Sequence, residues 1–437
     1  MRTVAVVGAG AAGLMAAIAA AQAGASVTLL EGTHRVGTKI LMSGGTRCNV
    51  THDFVSADDY YGGSRNVVAR LLREFSHEDA ARFFTDLGVE PKREDTGKLF
   101  PATDDAQTVL DALLARAAQL EIPILTGRKV TELTPSWSLH TSAGEIQAER
   151  VILTGRKVTA IAPAWTLTTS AGEVAAKRVI LTTGGLSFPR TGSDGTGYAL
   201  ARGLGHTIVP TTPALTPLVA RGGIHDRLRG VTLDVALTVR VAGRKAWEGT
   251  GSFLFTHFGY SGPVVLDASR HVARAEGPVT VFASFLTGFD AKGLEAALLA
   301  EAKAEPRRTI LGALRGRLPE SLAFELIRVA GVPGDRMLGQ LKKDERWAVA
   351  RAVTEHELPV LEVMGYKKAE VTAGGVAIDE IDPGTMESRR APGIHFAGEI
   401  LDTDGRLGGY NFQWAWSTGH VAGRSAAAPI RTPSLGR

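Results

Sequence analysis

The stretch TVAVVGAGAAGLMAAIAAAQAGASVTLLE, from Thr3 to Glu31, decides the fold. It carries no charge between Thr3 and Leu30, a length that by itself would suggest a membrane-spanning helix or the apolar core of a signal peptide. Its glycines argue otherwise. Val4–Val7 is a short, mostly β-branched run, followed by Gly8, Gly10 and Gly13 in the order G-x-G-x-x-G, an Ala-rich run to Ala23, Gly24, and a second apolar run, Ser26–Leu30. That order reads as strand, glycine turn, helix, stop and strand. Gly8 makes the tight turn, Gly10 removes a side chain where a pyrophosphate must touch backbone, and Gly13 lets helix and strand pack closely. The amides of Ala11 and Ala12 open the helix, where unpaired N–H groups and the dipole favour an anion. Glu31, with Gly32 behind it, ends the second strand, where a carboxylate accepts ribose hydroxyls and repels a 2′-phosphate. A dinucleotide-binding unit is therefore expected.

Working outward, Gly37–Asn49 reads GTKILMSGGTRCN, a glycine-rich loop soon after the ribose acid. It is expected over the same nucleotide, with Ser43, Gly44, Gly45 and Asn49 approaching it and Lys39 and Arg47 supplying cations. Helical patterns follow from Ala57 to Leu87 and from Asp105 to Leu120. Residues 124–151 then recur as 152–179, identical at roughly two positions in three, and each copy alternates around a Ser-Ala-Gly turn as a β-hairpin does. Two units are too few for a solenoid, which needs at least about three. Only the second copy runs on into Val179–Leu181, Thr182, Thr183, Gly184 and Gly185, an apolar strand ending in glycines, so the first copy is expected to be the extra one.

Pro189–His206 again places glycines before a helix, a second candidate contact for an anion or for substrate. Period-2 runs within Leu215–Leu286 suggest a β-rich domain, and Ala291–Glu355 is helical in character. Between Lys303 and Arg346 ten Lys or Arg face six Asp or Glu, which reads either as a solvated helix face or as a surface for an anionic partner. Near the end, a strand at Ile394–Phe396 leads to Gly398 and Glu399, and Gly408, Gly409, Tyr410 and Asn411 open a last helix. Both ends of the chain thus converge on one cofactor, and the last helix would aim its positive end at it.

Composition sets the outer bounds. With 437 residues, 44% hydrophobic and 22% charged, the chain is of ordinary soluble type and long enough for roughly three domains or one domain with large insertions. The 51 glycines exceed the roughly 7% usual in proteins and fit many turns and close ligand approaches. The single cysteine, Cys48, excludes a disulfide framework and any multi-cysteine metal centre, and a reducing cytoplasm fits it best. No metal site is expected. The net charge of +4 permits an anionic partner without requiring one.

The blocks GTKILMSGGTRCNVT, ILTTGGLSFPRTGSDGTGYALARGLGH, LFTHFGYSGPVVL, VTAGGV and HFAGEILDTDGRLGGYNFQWAWSTGH together resemble the bacterial YhiN/BaiN-like FAD flavoproteins. The resemblance covers nearly the whole chain. It implies an α/β fold, an FAD-binding doubly wound domain interrupted by a β-barrel domain and a small helical domain. The expected boundaries are 1–190 for the first part of the FAD domain, with the duplicated hairpin at 124–179, then 191–290 for the barrel, 291–355 for the helices and 356–437 for the return. It also assigns FAD contacts to Gly8, Gly10, Gly13, Glu31, the 39–49 loop, Thr183, Gly184, Gly185, Gly398, Glu399 and Gly408 to Asn411, and to Val158 or Val130 as the adenine neighbour, Val158 being preferred. Thr46 stands where that pattern usually has glycine.

The activity implied is hydride transfer from reduced flavin to a carbon-carbon double bond, in a small unsaturated metabolite or in a uridine of ribosomal RNA. The alternatives are an FAD-dependent amine oxidase and a flavin-bearing RNA-binding protein without turnover. No second G-x-G-x-x-G unit is visible, so NAD(P)H, if it is the reductant, would dock transiently. Cys48, His257 and Tyr260 are the candidate proton donors, and no membrane association is expected.

Overall fold

A computed structural model describes residues 3–141, 144–148 and 158–429. Its contacts divide the chain into two compact units, 1–211 with 370–437 and 212–369, so the second unit takes in the expected 291–355 helices and the part of the 356–437 return that was expected to rejoin the barrel.

The first unit is built on a five-stranded sheet. Strands β1 (Thr3–Val7), β2 (Ser26–Leu30), β3 (Ile124–Leu125), β8 (Arg178–Leu181) and β9 (Ile394–Phe396) lie in the order β9-β8-β1-β2-β3, every pair parallel. Helix α1 (Ala11–Gln22) packs on this sheet, and the last helix, α2 (Tyr410–Ala426), packs on α1. Small residues make that crossing a backbone contact. A Cβ on Gly423 would lie 2.2 Å from the Ala16 carbonyl oxygen, and one on Gly419 would lie 2.6 Å from that of Ala12. Every residue from Ala12 to Ala20 is buried, which explains why this segment carries no charge: it is covered by protein. Among the described residues no helix is long and apolar enough to cross a membrane.

The tandem repeat forms a second, antiparallel sheet of β4 (Val130–Thr141), β5 (Gly144–Ala148), β6 (Val158–Thr169) and β7 (Gly172–Ala176), ordered β7-β6-β4-β5. Pairing of β4 with β6 sets Val130 against Thr169, Trp165 against Pro135 and Val158 against Thr141. The start of the first copy stays with the nucleotide fold: the Arg128 amide donates to the Glu31 carbonyl (2.8 Å), and Val130 is buried. So does the end of the second copy, where Trp165 Nε1 donates to the Pro392 carbonyl (3.1 Å) and β7 leads to β8. The described contacts thus anchor the start of the first copy and the end of the second, while residues 142–143 and 149–157, on which the expectation of a surplus first copy partly falls, lie outside the described residues. Val158 pairs at the far end of β4, on the order of 30 Å along the strand from Val130, at roughly 3.3 Å per residue.

The second unit holds a seven-stranded sheet whose edge strands are His356–Leu358 and Val360–Val363. These two edges are separated in sequence by Pro359 alone, so the sheet must curl until its edges nearly meet, in barrel-like fashion. Helices Ala291–Ala304, Ile310–Arg315, Glu320–Val329 and Lys343–Thr354 share one hydrophobic core with this sheet. The expected barrel and helical domains are thus a single unit.

Candidate functional site

The three fingerprint glycines have different reasons to be glycine. Gly8 has φ +104°, and a Cβ there would lie 2.7 Å from the Thr182 carbonyl oxygen; at Gly13 it would lie 1.8 Å from that of Gly8. Both are closed by protein. At Gly10 an added Cβ meets nothing within 4 Å, leaving an open cradle beside the start of α1. That start has no side-chain cap and no acid in its first turn, so its amides are presented to an incoming anion. Glu31 is buried at the end of β2, with Oε2 accepting the Ala9 amide (2.9 Å) and Oε1 the Thr33 amide (2.8 Å). Each oxygen keeps a second lone pair for a ribose hydroxyl. Gly32 is covered by the Lys129 backbone, again from the first hairpin copy.

The 37–49 loop folds as a short helix, Thr38–Met42, followed by a left-handed run at Gly44, Gly45, Thr46 and Cys48 with φ +55°, +67°, +69° and +58°. Thr46 holds this conformation despite its β-branch, a strained choice where the related pattern has glycine. Ser43 Oγ donates to the Ile40 carbonyl (2.7 Å) and is committed inside the loop. Two expectations fail here. Arg47 is not offered to a nucleotide: its guanidinium pairs with Glu94 at 2.7 Å and lies 4.0 Å over the Phe100 ring. Cys48 is not acidified. It is fully buried, and burial pushes its thiol up to about 12 against a hydrogen bond with Ser43 that pulls it down, which disfavours the thiolate. Asn49 Oδ1 is buried without a hydrogen-bond partner, beside Gly409 at the start of α2.

After β8, Thr182 Oγ1 donates to the Val7 and Gly8 carbonyls, and Gly184 turns at φ +69°. Thr183 Oγ1 is buried against Gly197. Gly185 lies where a Cβ would come 2.5 Å from Thr372 Oγ1 and 3.0 Å from Glu399 Oε1. Thr372 Oγ1 accepts the amides of Leu186 (2.8 Å) and Ser187 (3.1 Å), while the Thr372 amide donates to Glu399 Oε1 (2.9 Å). Lys39 Nζ donates to Ser187 Oγ and to Glu399 Oε2, and Ser187 Oγ donates to Glu399 Oε1. Sequence reasoning found Lys39 and Glu399 but missed Ser187 and Thr372. Their signal was their position in blocks rich in glycine, which are built for close approach.

The Pro189–His206 segment is not a second anion site. Asp194 Oδ1 already accepts the Thr196 amide (3.0 Å) at the helix start, and Asp194 pairs with Lys129.

Gly398 rests on the first turn of α1, its added Cβ 2.7 Å from that of Ala12. Gly409, at φ +95°, leads into α2, which starts without a side-chain cap or an acid. The two side chains that follow are spoken for. Tyr410 is buried and stacks on His52 at 5.0 Å, and Asn411 clamps Gly405 through both its Oδ1 and Nδ2 (2.8 Å each). They shape the helix start; what they can offer a cofactor is backbone. His52, which sequence reasoning missed, also abuts Gly408.

In the second unit, Tyr260 is fully buried among Phe253, Phe255 and His225, and burial raises its hydroxyl pKa well above the usual value. It is core, not a proton donor. His257 is exposed and packs against Phe258.

The HI0933-like protein Rossmann domain model matches residues 2–163 and 156–425. The chain belongs to the HI0933-like family. The two matches overlap inside the second hairpin copy, where the duplication forces the family pattern to restart. The chain is 33% identical over 98% of its length to a 3-dehydro-bile acid delta(4,6)-reductase of Clostridium scindens, covering 99% of that protein. It is 31% identical over 94% of its length to a ribosomal RNA dihydrouridine synthase of Escherichia coli, covering 95% of it. This HI0933-like chain is an FAD-binding oxidoreductase with a parallel-sheet nucleotide fold. The open cradle at Gly10, the two uncapped helix starts and the partnerless Asn49 oxygen fit FAD.

Proposed function

We propose that this protein reduces a carbon-carbon double bond conjugated to a carbonyl in a small, flat metabolite, with NAD(P)H docking transiently as electron source. The observation that carries the reading is the pairing of an open dinucleotide cradle with full-length similarity to a reductase of an unsaturated bile acid. FAD, when bound, supplies hydride from its reduced ring to the acceptor carbon. The chain's own part is to bind and orient. Glu31 takes the ribose, the start of α1 takes the pyrophosphate, and the start of α2 offers a positive dipole end that favours the reduced, negatively charged ring.

An RNA substrate is the second reading, motivated by the dihydrouridine synthase relative. The basic helical stretch gives it little support. Of the ten cations between Lys303 and Arg346, six are paired with carboxylates: Arg308, Arg315, Arg317, Arg328, Arg336 and Arg346. A face so neutralised has few counterions to release on binding a polyanion.

The test is anaerobic mixing of the purified yellow protein with NADH, NADPH and a panel of amines, followed by a conjugated enone or a uridine-containing ribosomal RNA fragment. Bleaching by a nicotinamide and recovery of the yellow colour with the enone is the expected result. Bleaching by an amine, with peroxide formed in air, would make it an amine oxidase. Reoxidation by RNA and not by enones would move the substrate to RNA, and no bleaching by any donor would leave a flavin-bearing binding protein.

A further inference from the structure

We propose that Lys39 and Glu399 form a matched charge pair whose role is to keep the cofactor site neutral and thereby set the reduction potential of the bound flavin, with Ser187 as the positioning residue between them. The proposal rests on the flavin and not on the identity of the substrate.

Four sequence blocks meet at this pair. Lys39 comes from the loop after β2, Ser187 from the loop after β8, Thr372 from the strand Val371–Val376 and Glu399 from the turn after β9. Glu399 is held from three sides, by the Lys39 ammonium, the Ser187 hydroxyl and the Thr372 amide. The side chains are only 26% and 18% exposed, so water screens them poorly. They also border two glycine turns of the nucleotide fold. Glu399 follows Gly398, which touches the first turn of α1, and Glu399 Oε1 lies 3.0 Å from the position of a Cβ on Gly185. Lys39 has therefore already spent its charge on a carboxylate, and it is not the free phosphate cation that its place in the loop suggests.

Reduction of FAD by two electrons and one proton adds a negative charge to the ring. A neutral pair nearby is indifferent to that charge, while either member left alone is not. Lys39→Met leaves a bare carboxylate, which disfavours the reduced anion and lowers the potential. Glu399→Gln leaves a bare ammonium, which favours the anion and raises it. Removing both charges restores neutrality.

The test is the midpoint potential of the flavin in the holoprotein, read from the visible spectrum during anaerobic reductive titration. Lys39→Met and Glu399→Gln should shift the ratio of reduced to oxidised FAD affinity by about tenfold in opposite directions, about 30 mV each for a two-electron couple. The double variant Lys39→Met/Glu399→Gln should return to near wild type, and Lys39→Arg should stay there. Equal potentials in all four variants, or shifts of the same sign in both single variants, would overturn the proposal. If a single variant fails to hold FAD, the comparison of Lys39→Arg and the double variant with wild type decides: a double variant displaced by tenfold or more sinks the idea.

Discussion

The Glu31 carboxylate accepts the backbone amide of Ala9 at 2.9 Å, tying the end of the second strand to the glycine turn 22 residues earlier. The acid proposed to take the ribose therefore also braces the glycine turn proposed to receive the pyrophosphate. Glu31→Ala loses both roles. A charge-assisted hydrogen bond is worth about 1.5 to 3 kcal/mol, so FAD affinity should fall by roughly ten- to more than a hundredfold. Titration of apoprotein with FAD measures it, and unchanged affinity would show the acid to be misassigned.

Thr46 offers a gain in stability. Its φ of +69° is costly for a β-branched residue, about 1 to 2 kcal/mol, and glycine would remove that strain at an entropic cost of roughly 0.5 to 1 kcal/mol. Thr46→Gly should raise stability by up to about 1 kcal/mol, seen as a higher Tm. Its side chain donates only to the neighbouring Gly45 carbonyl, so no long-range contact is lost.

For the hairpin, joining Pro135 directly to Ala164 removes the repeat length that straddles the copies. It keeps Val130 beside the nucleotide fold and Trp165 on Pro392. The shortened protein should fold, remain yellow and unfold at a Tm no lower than the parent. Substituting Trp165 with Ala, by contrast, should destabilise by about 3 to 5 kcal/mol, as for a buried aromatic.

Acid should weaken the fold. Burial lowers His395 to about 3 and both His356 and His271 to about 4, against about 6.5 in an unfolded chain. All three are neutral in the folded state, so their stability is fully present above pH 6.5 and is lost as pH falls toward 4 and 3. Each contributes a slope of about 1.4 kcal/mol per pH unit once the unfolded state takes up its proton. Glu380, held down to about 2 by Arg390, Thr207 and His206, adds to the acid loss below pH 4.5. Urea unfolding at pH 7.5, 6, 5 and 4 should show the decline, and His395→Gln should flatten it whatever its effect at pH 7.5.

What was legible in the sequence was local. Gly8, Gly13 and Gly10 are readable because steric closure or ligand approach within one turn demands glycine, and Glu31 because a strand end has only one residue to offer. Partners far along the chain left no such mark. Nothing in the sequence around Arg47 announces Glu94, and nothing around Lys39 announces Glu399. Cys48 and Tyr260 look reactive by residue type, yet both are fully buried, and burial, a property of the whole fold, raises their pKa values. The repeat resists sequence reasoning for a different reason: two copies identical at roughly two positions in three satisfy the pattern almost equally.

The contact of α1 with α2 through Gly419 and Gly423 imposes an order of assembly. Thr3–Gln22 leaves the ribosome well before Tyr410–Ala426, and at roughly 5 to 20 residues per second the wait is on the order of tens of seconds. During that time the charge-free segment lacks its cover helix. FAD would then act as the final folding ligand, drawing the finished chain into its native state by mass action.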